Sequence, residues 1–205
     1  LIPNTNHMMQ IFSMGARLNA GVVGGRAFFE FRVTSKVTPS ESAVEVFNKK
    51  VSGQREVVRV GLTTGDADLL MSSQSAGCTF VDMKQSEIRV AGKTAPIRFS
   101  PIKITKKKDK PLDLNRTTIG IVVNLLDGHE NQNTFSVFCD GKRVAPPVAI
   151  PEEFRGKPLF PTATLRLCTG EFNTSSTPWC DLPFKQSLLA DLPSEYLVQR
   201  DSKVK

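Results

Sequence analysis

The sequence predicts an all-β domain, either a sandwich or a barrel, from three observations. Its apolar segments alternate with a period of two, which is typical of strands with one buried face. Turn-forming residues separate these segments about every 8–12 positions, as in sandwiches and barrels. No long segment sustains the 3.6-residue period of an amphipathic helix. A length of 205 residues, with 40% hydrophobic and 23% charged residues, favours one ordinary globular domain over a disordered, collagen-like or coiled-coil chain.

The first strands are predicted in the amino-terminal half. In residues 25–33 one face is apolar and the other is mixed, so we expect a half-buried strand. The apolar face carries Phe29, Phe31 and Val33, and the mixed face carries Phe28, Glu30 and Arg32. Residues 55–62 repeat the pattern, with Val58, Val60 and Leu62 on one side. A shorter strand is marked by Ile88 and Val90.

Three further strands are predicted in the second half. Residues 119–126 are apolar on both faces, which is typical of a central strand. Residues 134–139 alternate again and precede an Asp-Gly dipeptide at 140–141, a strong signal for a two-residue hairpin turn. Residues 161–168 alternate with Ala163, Leu165 and Leu167 facing inward. We expect Phe31 and Ile121 to be core residues.

Helical signals are weak and confined to short segments near the carboxyl end. Residues 185–192 place Leu188, Leu189 and Leu192 on one side of a helix that Pro193 would end. A single turn is predicted near Pro151, where proline precedes two acids. Residues 34–54 and 100–116 are polar or Lys-rich and are expected to be long surface loops.

A formal net charge of +7 is partly local, because five lysines lie in one short segment. They are Lys103, Lys106, Lys107, Lys108 and Lys110. The cluster is compatible with a solvated surface loop, with a patch that binds nucleic-acid phosphates, or with a nuclear-import signal. No aromatic residue stands among the lysines, so any RNA contact there would be to phosphates and not to bases.

The four cysteines indicate an intracellular protein, nuclear or cytoplasmic and not secreted. Cys78, Cys139, Cys168 and Cys180 are too few and too scattered for a disulfide framework, and no C-x-x-C pair favours zinc. The longest apolar run, about Ile119–Leu126, is far shorter than the ~20 residues that cross a bilayer. Neither a metal site nor membrane insertion is therefore predicted.

Catalytic motifs are scarce, and we predict that the chain is not an enzyme and binds no cofactor or small-molecule substrate. It has two histidines, His7 and His129, and no G-x-S-x-G nucleophile elbow. The Gly-rich segment 21–25 lacks the lysine and the spacing of a phosphate loop. The segment that begins at Asp127 has Gln132 and Phe138 where a calcium-binding EF-hand loop needs glycine at its sixth and glutamate at its twelfth position. Asp66 and Asp68 could pair as glycosidase carboxylates, but sugar-binding aromatic residues are few.

Six segments in order resemble the motifs of SPRY domains. They are residues 24–33 (GGRAFFEFRV), 57–61 (VVRVG), 118–127 (TIGIVVNLLD), 134–142 (TFSVFCDGK), 158–163 (PLFPTA) and 171–173 (EFN). Together the segments cover about residues 22–180. The nearest resemblance is to the SPRY module of heterogeneous nuclear ribonucleoprotein U and its relatives, since residues 179–183 and 192–195 resemble the tail after that module. A P-loop kinase-like domain follows in those proteins, and this chain contains no G-x-x-x-x-G-K-[ST] motif.

The resemblance implies a two-layer antiparallel β-sandwich, similar to a concanavalin-like jelly roll, with short helical segments at the ends. It implies an amino-terminal extension over residues 1–21 that packs on the domain, a SPRY-like sandwich over 22–184 and a carboxyl-terminal extension over 185–205. Two departures are that Leu62 stands where an aromatic residue is usual, and that residues 66–84 are poor in the aromatic residues that often lie near the ligand surface.

The function implied is a non-catalytic protein-interaction module, an adaptor or a subunit of a larger, ribonucleoprotein-associated assembly. Its contacts would come from the sandwich-end loops, here residues 63–76, 127–133 and 166–169. Within the last loop, Arg166, Leu167 and Thr169 align with a stretch that contacts bound peptides in the family, and Arg166 could fork to a carboxylate or phosphate. Two alternatives remain open: an RNA-binding domain that uses the Lys103–Lys110 segment, and a structural subunit of a large complex.

Overall fold

The computed structural model describes residues 13–37, 56–72, 74–99 and 117–200. The strands are β1 Met14–Arg17, β2 Ala20–Val22, β3 Gly25–Lys36, β4 Val57–Thr63, β5 Cys78–Asp82, β6 Glu87–Arg89, β7 Ile97–Arg98, β8 Thr118–Leu125, β9 Thr134–Cys139, β10 Lys142–Arg143, β11 Val148–Ala149, β12 Phe160–Arg166, β13 Cys168–Phe172, β14 Ser187–Leu188 and β15 Leu197–Gln199. Helical structure in the described residues consists of three 3₁₀ turns, Glu152–Phe154, Leu189–Asp191 and Ser194–Tyr196.

Two sheets of the described residues face each other, and strands β2 and β15 form a separate two-stranded sheet. In the first sheet the order is β1-β12-β4-β5-β6-β7, and in the second it is β10-β9-β8-β3-β13. Strand β11 pairs with β9, and β14 pairs in parallel with β3, whereas the other strand pairs of the described sandwich are antiparallel. The predicted all-β, two-layer antiparallel sandwich is therefore confirmed.

The main core lies between the two sheets and follows the period-two pattern. The second sheet contributes Phe29, Phe31, Ile119, Ile121, Phe135 and Val137, and the first contributes Val58, Val60, Ile88, Ala163 and Leu165. Phe31 and Ile121 are each 0% exposed, as predicted for core residues. Alternate side chains of a strand point to opposite faces, so one face of each strand supplies this interlayer core.

The predicted hairpin is present between β9 and β10. Asp140 and Gly141 have φ values of 48° and 75°, and Lys142 pairs directly with Cys139. Positive φ at both central residues is what a type I′ turn requires, and Asp-Gly tolerates it. The helical turn predicted near Pro151 is also present, as the 3₁₀ turn Glu152–Phe154.

The helix predicted over residues 185–192 is wrong. In its place, β14 pairs with Ala27 and Phe28 of β3, and a 3₁₀ turn follows at Leu189–Asp191. Leu188 is 4% exposed and packs with Phe28, Val122 and Phe138 on the outer face of the second sheet. The extended segment brings Leu188 into this apolar cluster, and the tertiary packing gained there outweighs the helix propensity that the spacing of the leucines indicates.

Strand β3 is not half-buried along its length, which corrects a second expectation. Phe28 is 2% and Glu30 is 0% exposed although both belong to the face opposite the main core, and that face becomes exposed only from Arg32 onward. Residues 173–188, which we call the strap, cross this outer face and bury it.

Both predicted extensions contain strands that pair with other strands of the domain. Strand β1, within residues 1–21, pairs with β12 at one edge of the first sheet. Strand β15, within residues 185–205, pairs with β2. The described parts of the chain's two ends are thus tied to the sandwich by backbone hydrogen bonds.

Candidate functional site

The register of the strands shows at which end of the sandwich each of the three predicted contact loops lies. Strands β4 and β12 pair antiparallel, with Thr63 opposite Phe160 at one end and Val57 opposite Arg166 at the other, about 20 Å away at the rise of a strand. Loops 63–76 and 127–133 contribute to adjoining clefts at the Thr63 end, whereas loop 166–169 lies at the far end. The three loops therefore do not form one surface.

The larger cleft at the Thr63 end has a volume of about 560 Å³. Its lining includes Val23, Gly24, Gly25, Leu126, Asp127, Phe154, Arg155, Lys157, Glu195 and Tyr196. Val23 and Leu126 are 37% and 41% exposed, and both place apolar surface in this one cleft. Two cations and two acids share the lining with this apolar rim, so the cleft suits a mixed polar and apolar surface of a protein partner more than a small apolar ligand.

The Tyr196 ring forms one wall of this cleft because two glycines leave room for it. A Cβ atom on Gly24 or on Gly25 would lie 2.7 Å from a ring carbon of Tyr196, too close for any side chain. Gly25 also has a φ of 69°, in the left-handed region that favours glycine. The Val23 amide donates to the Tyr196 carbonyl at 2.9 Å, which fixes the ring's segment beside β2.

A second cleft of about 450 Å³ adjoins the first, because Phe154 and Lys157 line both. Its other charged residues are Asp66, Asp68 and Glu153. The Thr64 hydroxyl donates to Asp66 at 2.7 Å, and this bond leads the contributions that lower the pKa of Asp66. Asp66 and Asp68 each accept a hydrogen bond within their own loop, which gives no support to paired glycosidase carboxylates.

The loop that carries these acids is held against the outer face of the first sheet. The Arg17 guanidinium donates to the carbonyls of Gly65 and Ala67 at 2.6 and 2.5 Å. The Thr164 hydroxyl donates to the Leu69 carbonyl at 2.8 Å and accepts from the Met71 amide at 3.1 Å. Such a preorganised loop would lose little conformational entropy on binding.

The residues predicted to contact a partner lie at the other end of the sandwich. Leu167 has a φ of 57° and is buried at 8% exposure, while Arg166 is half-buried. Burial lowers the pKa of Arg166, and nearby Arg59 lowers it further. The Thr169 hydroxyl bonds to those of Thr34 and Ser35 at 2.7 and 2.6 Å. The structure thus places Arg166 and Thr169 at the surface of this end and turns Leu167 inward.

The five lysines of the predicted nucleic-acid patch, Lys103, Lys106, Lys107, Lys108 and Lys110, lie outside the described residues. Within the described part, His129 forms hydrogen bonds at its own loop. Its Nδ1 lies 3.2 Å from the side-chain Nδ2 of Asn124 and 3.3 Å from the backbone nitrogen of Asn131. Residues 13–37, 56–72, 74–99 and 117–200 contain no group of three or more His, Cys, Asp or Glu side chains arranged to hold a metal ion. The same residues include no helix with the length and apolar character to cross a membrane.

The sequence analysis missed the strap and the carboxylate that anchors it. Glu30 accepts hydrogen bonds from the Asn173 side chain at 2.8 Å and from the amides of Trp179 and Cys180 at 2.7 and 2.9 Å. The available signal was an acidic residue in the middle of an otherwise apolar strand segment. Its place on the mixed face of β3 made solvent exposure the simpler interpretation.

Comparisons with known proteins give structural neighbours alone. The crystal structure of the SPRY domain of human HERC1 is 10% identical, with a TM-score of 0.49, and the match covers 84% of this chain and 85% of that one. A human SPRY domain is 12% identical, with a TM-score of 0.47 over 80% and 86% of the chains. The potassium-bound carbohydrate recognition domain of Emp46p is 12% identical, with a TM-score of 0.42 over 80% and 75%. No family model and no curated protein matches the sequence.

Proposed function

We propose that this chain is a non-catalytic, SPRY-type protein-interaction module that binds a partner protein at the Thr63 end of the sandwich. The observation that carries the proposal is the pair of adjoining clefts, which share Phe154 and Lys157 and are bordered by exposed Val23 and Leu126. Exposed apolar side chains beside mixed charges, on a concave and preorganised surface, are characteristic of protein-binding sites. The order of SPRY-like motifs in the sequence supports the same function.

The finer parts of this proposal rest on the sequence. The resemblance to the module of heterogeneous nuclear ribonucleoprotein U suggests an adaptor or assembly subunit associated with a ribonucleoprotein. The cysteine usage suggests a nuclear or cytoplasmic location. The resemblance also suggests a second contact surface at Arg166 and Thr169, and the Lys103–Lys110 segment suggests contact with RNA phosphates.

Affinity capture with matched variants tests the proposal. The tagged full chain is used to isolate partners from extracts of its own cells, with and without nuclease, and the recovery of each partner is compared among variants. Leu126→Asp and Val23→Asp place a charge on the rim of the larger cleft, and Arg166→Glu alters the far end. Leu70→Asp is the matched control, because Leu70 is 42% exposed but lines neither cleft.

The proposal predicts a nuclease-resistant partner whose recovery falls about tenfold with Leu126→Asp or Val23→Asp and is unchanged with Leu70→Asp, since an anchor residue in a binding site contributes about 1–2 kcal/mol or more. Recovery that depends on Arg166→Glu alone would move the site to the far end and overturn this proposal. Loss of all partners with nuclease would favour RNA as the bridge, and replacing Lys106, Lys107 and Lys108 with Gln would then identify its source.

A further inference from the structure

Two arginines on the outer face of the second sheet contact aromatic rings and make no ion pair with any residue that the structure describes. The Arg26 guanidinium lies 4.9 Å from the ring centroid of Phe184, and that of Arg143 lies 5.3 Å from the centroid of Phe138. The two rings meet edge to face, with centroids 5.7 Å apart and planes at 66°. We call these four residues the arginine–phenylalanine stack.

Strand register and the strap together build this stack. Arg143 pairs with Phe138 across β10 and β9, and Phe138 pairs with Gly120, which pairs with Glu30. Directly paired residues point to the same side of a sheet, and so do residues two apart, so Arg143 shares the outer face with Glu30, Phe28 and Arg26. Phe184 arrives from the strap and packs against the cluster of Phe28, Val122, Phe138 and Leu188.

The positive charge of the stack has no acidic partner in the described residues. Arg32, Arg59, Arg89 and Arg155 form ion pairs there, whereas Arg26 and Arg143 form none and donate no hydrogen bond. Arg26 Nε is shielded from solvent without an acceptor, and burial followed by repulsion from Arg143 lowers the Arg26 pKa. A shielded guanidinium N–H without an acceptor is costly in a native structure.

Most acidic side chains on this face already have hydrogen-bond or ion-pair partners other than Arg26 and Arg143. Glu30 accepts three N–H groups of the strap, Glu171 pairs with Arg32, and Asp140 accepts from the Thr118 amide at 2.8 Å. Asp181 is exposed on the strap and forms none of the ion pairs among the described residues. Exposed Lys185 is the chain neighbour of Phe184 and adds positive charge beside the stack.

We propose that the arginine–phenylalanine stack binds a phosphate monoester carried by a partner protein, such as phosphoserine or phosphothreonine. The planar guanidinium forks match the geometry of phosphate oxygens, and the aromatic rings hold both forks in place, with Arg143 exposed and Arg26 partly exposed. A phosphate monoester carries nearly two negative charges and three acceptor oxygens, so it can neutralise both arginines, whereas one carboxylate cannot. The stack lies on the strap-covered face and lines neither cleft, so this inference is independent of the proposed function.

Nucleic acid is the less favoured source of the phosphate because the described part of this face presents no open ring to a base. One face of Phe184 is occupied by Arg26, Phe138 is 1% exposed, and Trp179 is covered by the Arg32 guanidinium at 4.1 Å. Proteins that bind single-stranded nucleic acid combine a positively charged groove for the backbone with aromatic side chains on which the bases stack. A phosphorylated side chain needs only the guanidinium edges.

Titration of the isotopically labelled full chain tests this inference. The probes are a short peptide with a central phosphoserine, its unphosphorylated twin and a short oligouridylate, at about pH 7.5 where the phosphate is dianionic. The readout is the NMR signals of the arginine Nε–Hε groups. The variants are Arg26→Gln, Arg143→Gln and Arg26→Lys, with Arg98→Gln as a control because Arg98 is exposed on β7 of the first sheet. Trp179 is the one tryptophan and lies on the strap, so its fluorescence verifies that each variant keeps the strap docked.

The inference predicts that the phosphopeptide shifts the Arg26 and Arg143 signals together and that its twin does not. Each Gln variant is expected to weaken binding about tenfold or more, since a charge-assisted hydrogen bond contributes that much, and Arg26→Lys is expected to weaken it by less. Arg98→Gln is expected to bind as the parent does. The inference is overturned if neither signal moves, if Arg98→Gln weakens binding equally, or if the oligouridylate binds as tightly as the phosphopeptide through the same two arginines.

Discussion

Glu30 is a buried carboxylate that is satisfied by neutral N–H donors instead of a cation. Its two oxygens accept from Asn173, Trp179 and Cys180, and the Asn173 amide in turn donates to the Glu30 carbonyl at 2.9 Å. Hydrogen bonds to a charged acceptor are stronger than those between neutral groups, and burial increases the cost of losing them. This one side chain therefore fixes the start of the strap.

We predict that Glu30→Gln lowers the free energy of unfolding by about 2–4 kcal/mol, because the new amide group faces N–H donors and loses the charge that they bind. Urea denaturation measures the change. Glu171→Gln is the matched control: its ion pair with Arg32 is 44% exposed on the glutamate side, so a loss of less than about 1 kcal/mol is expected. Equal losses in the two variants would contradict the anchoring role of Glu30.

The four thiols differ in burial, which predicts their order of reaction. Burial raises the pKa of Cys78 and Cys168 to about 11 and that of Cys139 to about 12, and these three are buried. Cys180 is partly exposed on the strap, although burial also raises its pKa. Only the thiolate reacts with iodoacetamide, and a pKa near 11 leaves roughly one thiolate in a thousand at pH 8.

Timed alkylation of the native protein, read by mass spectrometry of peptides, is expected to label Cys180 first. The other three should be labelled only as the protein unfolds, and the rate should rise with pH for all four. Rapid labelling of Cys139 in the native state would show that the interlayer core is open.

At the level of single residues, the sequence is most informative inside the main core and least informative on the outer faces. Phe31 and Ile121 could be predicted because period-two alternation directly reports the buried face of a strand. Glu30 could not, because its burial depends on a segment about 150 residues later in the chain that local spacing does not place. Arg26 and Phe184 meet for the same non-local reason.

The strap is the element whose structure differs most from its sequence pattern. Residues 185–192 have leucines at helical spacing, yet Leu188 enters a groove that an extended chain fills. The 3₁₀ turn at Leu189–Asp191 retains the helical tendency where the groove ends. Hydrophobic burial from a distant strand outweighed intrinsic propensity, which contributes only tenths of a kcal/mol per residue.

Leu188→Ala tests how the strap is held. Truncating a buried leucine removes its transfer free energy and leaves a cavity, so a loss of about 2–4 kcal/mol is expected. Amide hydrogen exchange should accelerate at Trp179 and Cys180 more than in strands β4 and β12, because the strap can open without the sandwich. Uniform acceleration throughout the molecule would show instead that the strap and the sandwich unfold as one unit.

At the scale of the whole molecule, the two-layer core dominates stability. Phe31 and Ile121 lie in neighbouring strands of the second sheet and face the first sheet across the core. We predict that Phe31→Ala or Ile121→Ala each lowers the free energy of unfolding by about 3–4 kcal/mol in a urea titration. The exposed Leu70, changed to Ala as a control, should cost less than about 0.5 kcal/mol. A cost below about 1 kcal/mol for either core variant would contradict the assigned strand faces.

The fold class followed from the alternation, but the surface that could bind a partner did not. The sequence places loops 63–76, 127–133 and 166–169 after or between strands, but only the antiparallel register shows that the third lies at the other end. Likewise, the sequence predicts a turn at Gly24 and Gly25. That the Tyr196 ring packs against these two glycines depends on the pairing of β2 with β15, which the local sequence does not show.

Amide hydrogen exchange of the full chain, alone and with its captured nuclease-resistant partner, tests the central claim most directly. We predict protection on binding at residues 126–127, 132–133, 153–157 and 195–196, which line the joined clefts, with little change at residues 166–169. Protection confined to residues 166–169 or to the outer face under the strap, with the cleft residues exchanging as in the free protein, would contradict it.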